Sequence, residues 1–192
     1  MVASWGNPVE IRVFLEGSDG RSLDCANVIA IDPKGTSLLM EYEGDRASYV
    51  GSIYAPPGGS YRLEARSRAG DCSISVPFIA LTSRPSILTI ADSSGNSAMA
   101  GQALASGAAI AVSWNSVVGS TAYLVRVLGS GSVVYQRSCA EPGVTIPADT
   151  LAAGSFTVSV EAQAIAGDPL FGISSYYSAS SAKSASVAFT VQ

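Results

Sequence analysis

Apolar and polar residues alternate with a period of two through much of this chain. Val9, Ile11, Val13 and Leu15 interleave with Glu10, Arg12, Phe14 and Glu16. Successive side chains of a strand point to opposite faces, so the pattern predicts a strand with one buried face. Val28 to Ile31 is a short, continuously apolar run. Leu38, Met40 and Tyr42 repeat the two-residue step. So do Tyr49, Gly51 and Ile53, then Tyr61, Leu63 and Ala65, then Cys72, Ile74 and Val76. Turn residues separate these segments at Gly17-Ser18-Asp19-Gly20, Asp32-Pro33-Lys34-Gly35, Glu43-Gly44-Asp45 and Pro56-Pro57-Gly58-Gly59. Strand signals about every ten residues predict an all-β sandwich or barrel. No stretch shows the i, i+3, i+4 apolar spacing with caps that a helix needs.

Around Thr82 to Pro85 the alternation pauses. Proline disfavours helix in the residue before it and cannot donate to a sheet ladder, so a joint is expected here. The pattern then resumes. Ile87, Leu88 and Ile90 open a second unit, and Asp92 to Gly107, rich in Ser, Gly and Ala, reads as a loop or a poorly defined edge. Ile110, Val112 and Trp114 alternate, then Tyr123, Val125 and Val127, followed by a short strand from Val133 to Tyr135. Val144 and Ile146 precede Pro147, and Leu151 leads into Gly154 to Ala162, where Phe156, Val158, Val160 and Ala162 share one face. Val187, Phe189 and Val191 close the chain.

The order of these segments resembles a fibronectin type III domain. The residues that carry the resemblance are Val112-Ser113-Trp114, Tyr123-x-Val125-x-Val127 and Leu151-x-x-Gly154-x-Phe156-x-Val158-x-Val160-x-Ala162, over roughly Pro85 to Gln192. It implies a seven-stranded Greek-key sandwich with Trp114 in the core and a corner before the sixth strand. The family usually places Tyr at that corner, bonded to nearby backbone, and Phe156 cannot make that bond. Gly59-Ser60-Tyr61-x-Leu63-x-Ala65 echoes Gly154-Ser155-Phe156-x-Val158-x-Val160, and here the corner does hold Tyr. The first unit therefore resembles an immunoglobulin-like sandwich. Its Tyr49-to-Tyr61 stretch equally resembles transthyretin-like modules. The expected architecture is two tandem β-sandwich domains, an immunoglobulin-like one over 1–83 and a fibronectin type III-like one over 84–192.

Composition narrows the chemistry. The chain has 192 residues and a net charge of -4, and its basic residues are dispersed. Nucleic-acid binding needs clustered Lys and Arg, and the densest group, Arg62, Arg66 and Arg68, has Glu64 and Asp71 among it. The sequence contains no His, which removes the commonest general base and the commonest zinc ligand. No cofactor is expected. Glu41 and Glu43 lie on one strand face, and a glycosidase needs carboxyls facing each other across a cleft. The loops Asp92-Ser93-Ser94-Gly95-Asn96 and Gly17 to Gly20 lack the alternating carboxylates and terminal Glu of an EF-type calcium loop, and turn chemistry accounts for them. No apolar run reaches the roughly 20 residues needed to cross a bilayer.

Cys25 and Cys72 both precede apolar strands of the first unit and are the candidate disulfide. If they begin the second and sixth strands, they lie at one end and can meet. If Tyr61 sits on a true sixth strand, Cys72 begins the seventh and lies at the opposite end. Cys139 has no evident partner, and no His exists to activate it. The connection Gly167 to Ser178 carries Leu170, Phe171, Tyr176 and Tyr177, apolar or amphipathic side chains on a loop that should lie at one pole. Aromatics on loops favour protein or sugar contacts. The alternative is that they pack over the sandwich end or against the first domain, or that Tyr176-Tyr177 begins the last strand. The expectation is a non-catalytic, extracytoplasmic adhesion or scaffold module of a bacterial surface or secreted protein. Its signal sequence would lie outside this chain, and its partner would be a protein or a glycan. A carbohydrate-binding accessory module of a larger enzyme is the alternative, in which exposed Tyr54, Tyr135 or Tyr177 would stack on sugar.

Overall fold

In the computed structural model, the described residues are 2–4, 9–16, 20–24, 26–54, 56–68, 70–167 and 177–192. The chain divides into two compact units. Unit 1 comprises Met1–Ala80 and Ile165–Ser180, and unit 2 comprises Leu81–Ala164 and Ser181–Gln192. No helix among the described residues is long and apolar enough to cross a membrane.

Unit 1 runs through β1 (Val2–Ser4), β2 (Val9–Val13), β3 (Asn27–Ile31), β4 (Ser37–Leu39), β5 (Glu41–Glu43), β6 (Ser48–Ile53), β7 (Gly59–Ser67) and β8 (Gly70–Phe78). Their pairing gives β1-β2-β6-β5 in one sheet and β4-β3-β7-β8 in the other. In immunoglobulin lettering these are ABED and C′CFG, so the first sandwich is immunoglobulin-like. Ile11, Val28, Ala30, Met40, Tyr49, Tyr61, Val76 and Phe78 fill the space between the sheets. Tyr61 meets Phe78 edge-on at 5.9 Å.

The segment Leu38, Met40, Tyr42, expected as one strand, is two. Leu39 of β4 pairs with Ile29 of β3, whereas Tyr42 of β5 pairs with Tyr49 of β6. Between them Met40 donates its N–H to the Val28 carbonyl at 2.9 Å and turns its side chain into the core. The two-residue step continues across the break because both halves keep an inward face. Alternation alone therefore does not show where a chain changes sheets.

Unit 2 is built from β9 (Ile87–Asp92), β10 (Ile110–Trp114), β11 (Ala122–Gly129), β12 (Ser132–Cys139), β13 (Gly143–Ile146), β14 (Gly154–Gly167), β15 (Tyr177–Lys183) and β16 (Val187–Val191). One sheet has the order β13-β10-β9; in the other, β12, β11 and β14 follow one another and β16 pairs with the start of β14. These are the ABE and C′CFG sheets of a fibronectin type III sandwich, with Trp114 in the core as expected. Tyr123, Val125 and Val127 of β11 and Val158, Val160 and Ala162 of β14 all point inward. Leu104, in the stretch expected to be a loop, is fully buried. Its N–H donates to Thr190 O at 2.9 Å, and its carbonyl accepts from Gln192 N at 2.8 Å.

Two strands pass from one unit to the other. The last residues of β14, Ile165 to Gly167, and the first of β15, Tyr177 to Ser180, belong to unit 1. There β15 lies beside β1 and extends that sheet to β15-β1-β2-β6-β5. Ser178 and Ser180 are buried, and their hydroxyls donate to the carbonyls of Pro77 and Ile79. The sequence pattern places the joint at Thr82 to Pro85 but carries no sign of this second exchange. Ser178-Ala179-Ser180 has neither apolar alternation nor turn residues to mark it.

Candidate functional site

The groups with the most altered chemistry sit at the corners and loops of the two sandwiches. In unit 1 the chain enters β7 through Pro57, Gly58 and Gly59, and the Tyr61 hydroxyl donates back to the Pro57 carbonyl at 3.0 Å. This is the tyrosine corner expected from the echo motif. Burial, and secondarily the charge of Asp32, pushes the Tyr61 hydroxyl up to about 12. In unit 2 the corner is closed by rings instead. Phe156 stacks on Phe189 at 5.6 Å and lies opposite Gly129, where a Cβ would come within 2.9 Å of the Phe156 ring.

A second motif recurs that sequence reasoning did not join together. Asp32-Pro33-Lys34-Gly35-Thr36 follows β3, and Asp92-Ser93-Ser94-Gly95-Asn96 ends β9. In each, the Asp carboxylate accepts the N–H groups two and four residues on. For Asp32 these are Lys34 and Thr36, both at 2.8 Å; for Asp92 they are Ser94 at 2.9 Å and Asn96 at 3.0 Å. In each, the Asp N–H donates to the fifth residue's carbonyl. The signal was present in both stretches as D-x-x-G-x, the side-chain-to-backbone turn that Asp favours.

Asp92 goes further, because its other oxygen accepts Asn96 Nδ2 at 2.8 Å and Ala105 N at 2.7 Å. Those bonds, the Ala105 N–H first, hold the carboxyl at about 2. All four donors therefore favour the carboxylate, and both oxygens are occupied by the loop itself. A depressed folded value means that the stabilisation is fully present above the ordinary carboxyl range, near pH 4, and is lost as pH falls through about 2. Urea midpoints of wild type and Asp92→Asn should therefore differ by a constant amount above about pH 5 and converge towards pH 2. A gap independent of pH down to 2 would show that the charge is not what holds the loop.

Other charged groups are paired within or across strands. Arg12 of β2 reaches Glu10, Glu43 and Ser48, and its bond holds the Glu43 carboxyl below its ordinary value. Arg62 and Arg66 flank Glu64 at 3.0 and 3.5 Å on an outer face. Arg126 bridges Glu161 at 3.1 Å. Burial pushes the Cys139 thiol up, and its Sγ–H donates to Glu141 O. Among the described residues, no group of three or more His, Cys, Asp or Glu side chains is placed to hold a metal ion.

The sequence candidates fall as follows. Leu170, Phe171 and Tyr176 lie outside the described residues; Tyr177 opens β15. Cys25 and Gly17 to Asp19 also lie outside them. Cys72 carries a free, exposed thiol and pairs in register with Ala65 of β7. Tyr54 is 80% exposed, whereas the Tyr135 hydroxyl is buried and has no hydrogen-bond partner among the described residues.

No protein-family model matches the chain, and no curated protein matches it. Solved structures similar to it include titin domains A168-A170, at 16% identity and TM-score 0.37, covering 100% of this chain and 61% of that one. The FN1-FN3 domains of chicken CNTN1 match at 14% identity and TM-score 0.42, covering 100% and 63%. The BSP domain of a biofilm associated protein matches at 17% identity and TM-score 0.29, covering 99% and 28%. The chain thus spans less than two thirds of each of these chains. The assignment to immunoglobulin-like and fibronectin type III-like sandwiches rests on the strand order described above.

Proposed function

We propose that this chain is a non-catalytic adhesion or scaffold module of a bacterial surface or secreted protein, acting outside the cytoplasm. One observation carries the reading. Among the described residues, each group whose ionisation the fold displaces, namely Arg12, Glu43, Tyr61, Asp92 and Cys139, owes that shift to a bond or to burial that also holds the sandwich together. Perturbed groups at a catalytic centre instead face a cleft and leave a valence for substrate. Among the described residues, a carbohydrate-binding role is favoured by Tyr54, whose ring stands in solvent as a stacking surface.

A glycan array probed with wild type, Tyr54→Ala and Tyr176→Ala/Tyr177→Ala separates the two. No glycan signal supports the scaffold role. A signal that either variant abolishes moves the function to sugar binding and names the surface. Placement outside the cytoplasm is tested by fractionating cells with an antibody raised against this chain; recovery with the cytoplasmic proteins would overturn it.

A further inference from the structure

We propose that β12 (Ser132–Cys139) is a self-association edge, and that a second copy of this chain pairs its own β12 antiparallel to it, joining the β12-β11-β14 sheets of the two copies across a two-fold axis. β12 ends its sheet and is paired with β11 alone among the described strands. An edge strand keeps a row of N–H and C=O groups for a further strand, and edges are blunted by shortness, charge, proline or bulges. The other sheet ends carry such devices. β4 and β5 have three residues each, and β13 has four, between Pro142 and Pro147. β8 carries Asp71 and Pro77. β9 faces a register shift at Ser113/Trp114, and its far end is bridged by Ser97. β12 has eight residues, no proline, and Arg137 as its one charge. Its own register shift lies beside the turn, between Val127 and Leu128, and leaves Tyr135 to Cys139 in regular pairing. Val133 and Val134 on this strand are 53% and 44% exposed.

The occupant follows from what β12 itself offers. Antiparallel pairing about a two-fold axis at Gln136 sets Gln136 opposite Gln136 of the second copy, and Arg137 opposite Tyr135 twice over. Arg126 Nε already donates to Gln136 Oε1 at 3.2 Å. That leaves the Gln136 amide NH2 to donate to the facing carbonyl oxygen, in both directions. A guanidinium opposite an aromatic ring is an attractive cross-strand pair. Ser138 and Cys139 then stand opposite Val134 and Val133, so the exposed valines are covered. Moving the axis to Arg137 would set the two guanidinium groups face to face, a repulsive pair. The charge pattern therefore favours the Gln136 axis, and a second β12 satisfies it with no further residue. The contact is isologous, so it closes at two copies. It requires nothing of the adhesion role proposed above.

A pairing of one strand from each copy belongs to the small, weak class of interface. The full chain is therefore measured by sedimentation equilibrium from about 10 µM to about 1 mM, and its dimer fraction should rise at least about five-fold over that range. Gln136→Lys sets two ammonium groups opposite each other and should stay monomeric throughout. Position 136 is exposed, so Trp114 fluorescence of this variant should remain native-like. Mixing Gln136→Lys with an equal amount of Gln136→Glu restores an opposite-charge pair. Native mass spectrometry should then show the mixed dimer exceeding the Gln136→Lys dimer at least about five-fold. Wild type monomeric at about 1 mM, a Gln136→Lys protein that dimerises like wild type, or a mixture without the mixed dimer would each overturn the proposal.

Discussion

Alanine at position 59 should destabilise unit 1 by about 2–4 kcal/mol, combining backbone strain with overpacking. Gly59 opens β7 with φ at 138°, a region that L side chains rarely adopt. A Cβ there would stand 2.8 Å from Pro33 Cγ and 3.0 Å from Pro33 Cβ. The proline ring has little room to yield, since the Asp32 carboxylate fixes the loop on both sides of it through Lys34 and Thr36. Gly59 thus joins the Asp32 loop to the Tyr61 corner, and a substituent would push both. Gly44→Ala is the control, because a Cβ at Gly44 meets nothing within 4 Å. Urea unfolding followed by fluorescence measures both variants. A Gly59→Ala protein within about 0.5 kcal/mol of wild type would mean that this corner is not rigid.

Two tyrosine-to-phenylalanine changes in unit 2 should differ in effect, only one of them destabilising. The Tyr123 hydroxyl accepts the Val117 N–H at 2.9 Å and is hydrogen-bonded to Ser120 Oγ at 2.8 Å, in a site where Val117 is buried. Tyr123→Phe leaves that backbone donor without a partner, at a cost of about 1–3 kcal/mol. The Tyr135 hydroxyl is buried with no partner among the described residues, so Tyr135→Phe removes an unmet polar group and should be neutral or stabilising by up to about 1 kcal/mol. Thermal unfolding of the two variants beside wild type decides the point. Loss of stability in both would reveal a partner for Tyr135, such as a bound water.

Much of this architecture was legible because half-buried strands display their inward face directly in sequence. Val112, Trp114, Tyr123, Val125, Val158 and Val160 point where alternation put them. The tyrosine corner at Tyr61 was readable because it depends on one residue four positions after its acceptor, Pro57. Long-range choices were not readable. The change of sheet at Met40 preserves the alternation on both sides. Leu104 is an isolated apolar residue in a Ser- and Gly-rich stretch, and only its pairing with the last strand makes it core. The candidate site fared differently. Cys25 and Cys72 stand out on residue type and position alone, and the pairing of Cys72 with Ala65 of β7 depends on register that sequence does not show. Ser178 and Ser180 are among the least conspicuous residues of the chain, yet they hold the segment that enters unit 1.

The anchoring of Leu104 bears on how this chain would behave under tension. β16 is paired along one side to β14. On its other side Leu104 N bonds Thr190 O, Gln192 N bonds Leu104 O, and Ser106 N bonds Gln192 O at 2.6 Å. A pull on Gln192 therefore meets bonds on both flanks of the strand. Because Leu104 and Val191 pair in parallel, bonds on that flank are loaded together in shear rather than opened one after another. Unzipping from β14 alone would be sequential and weak. One buried leucine, bonded on both its N–H and its carbonyl, turns the last strand into a two-sided clasp.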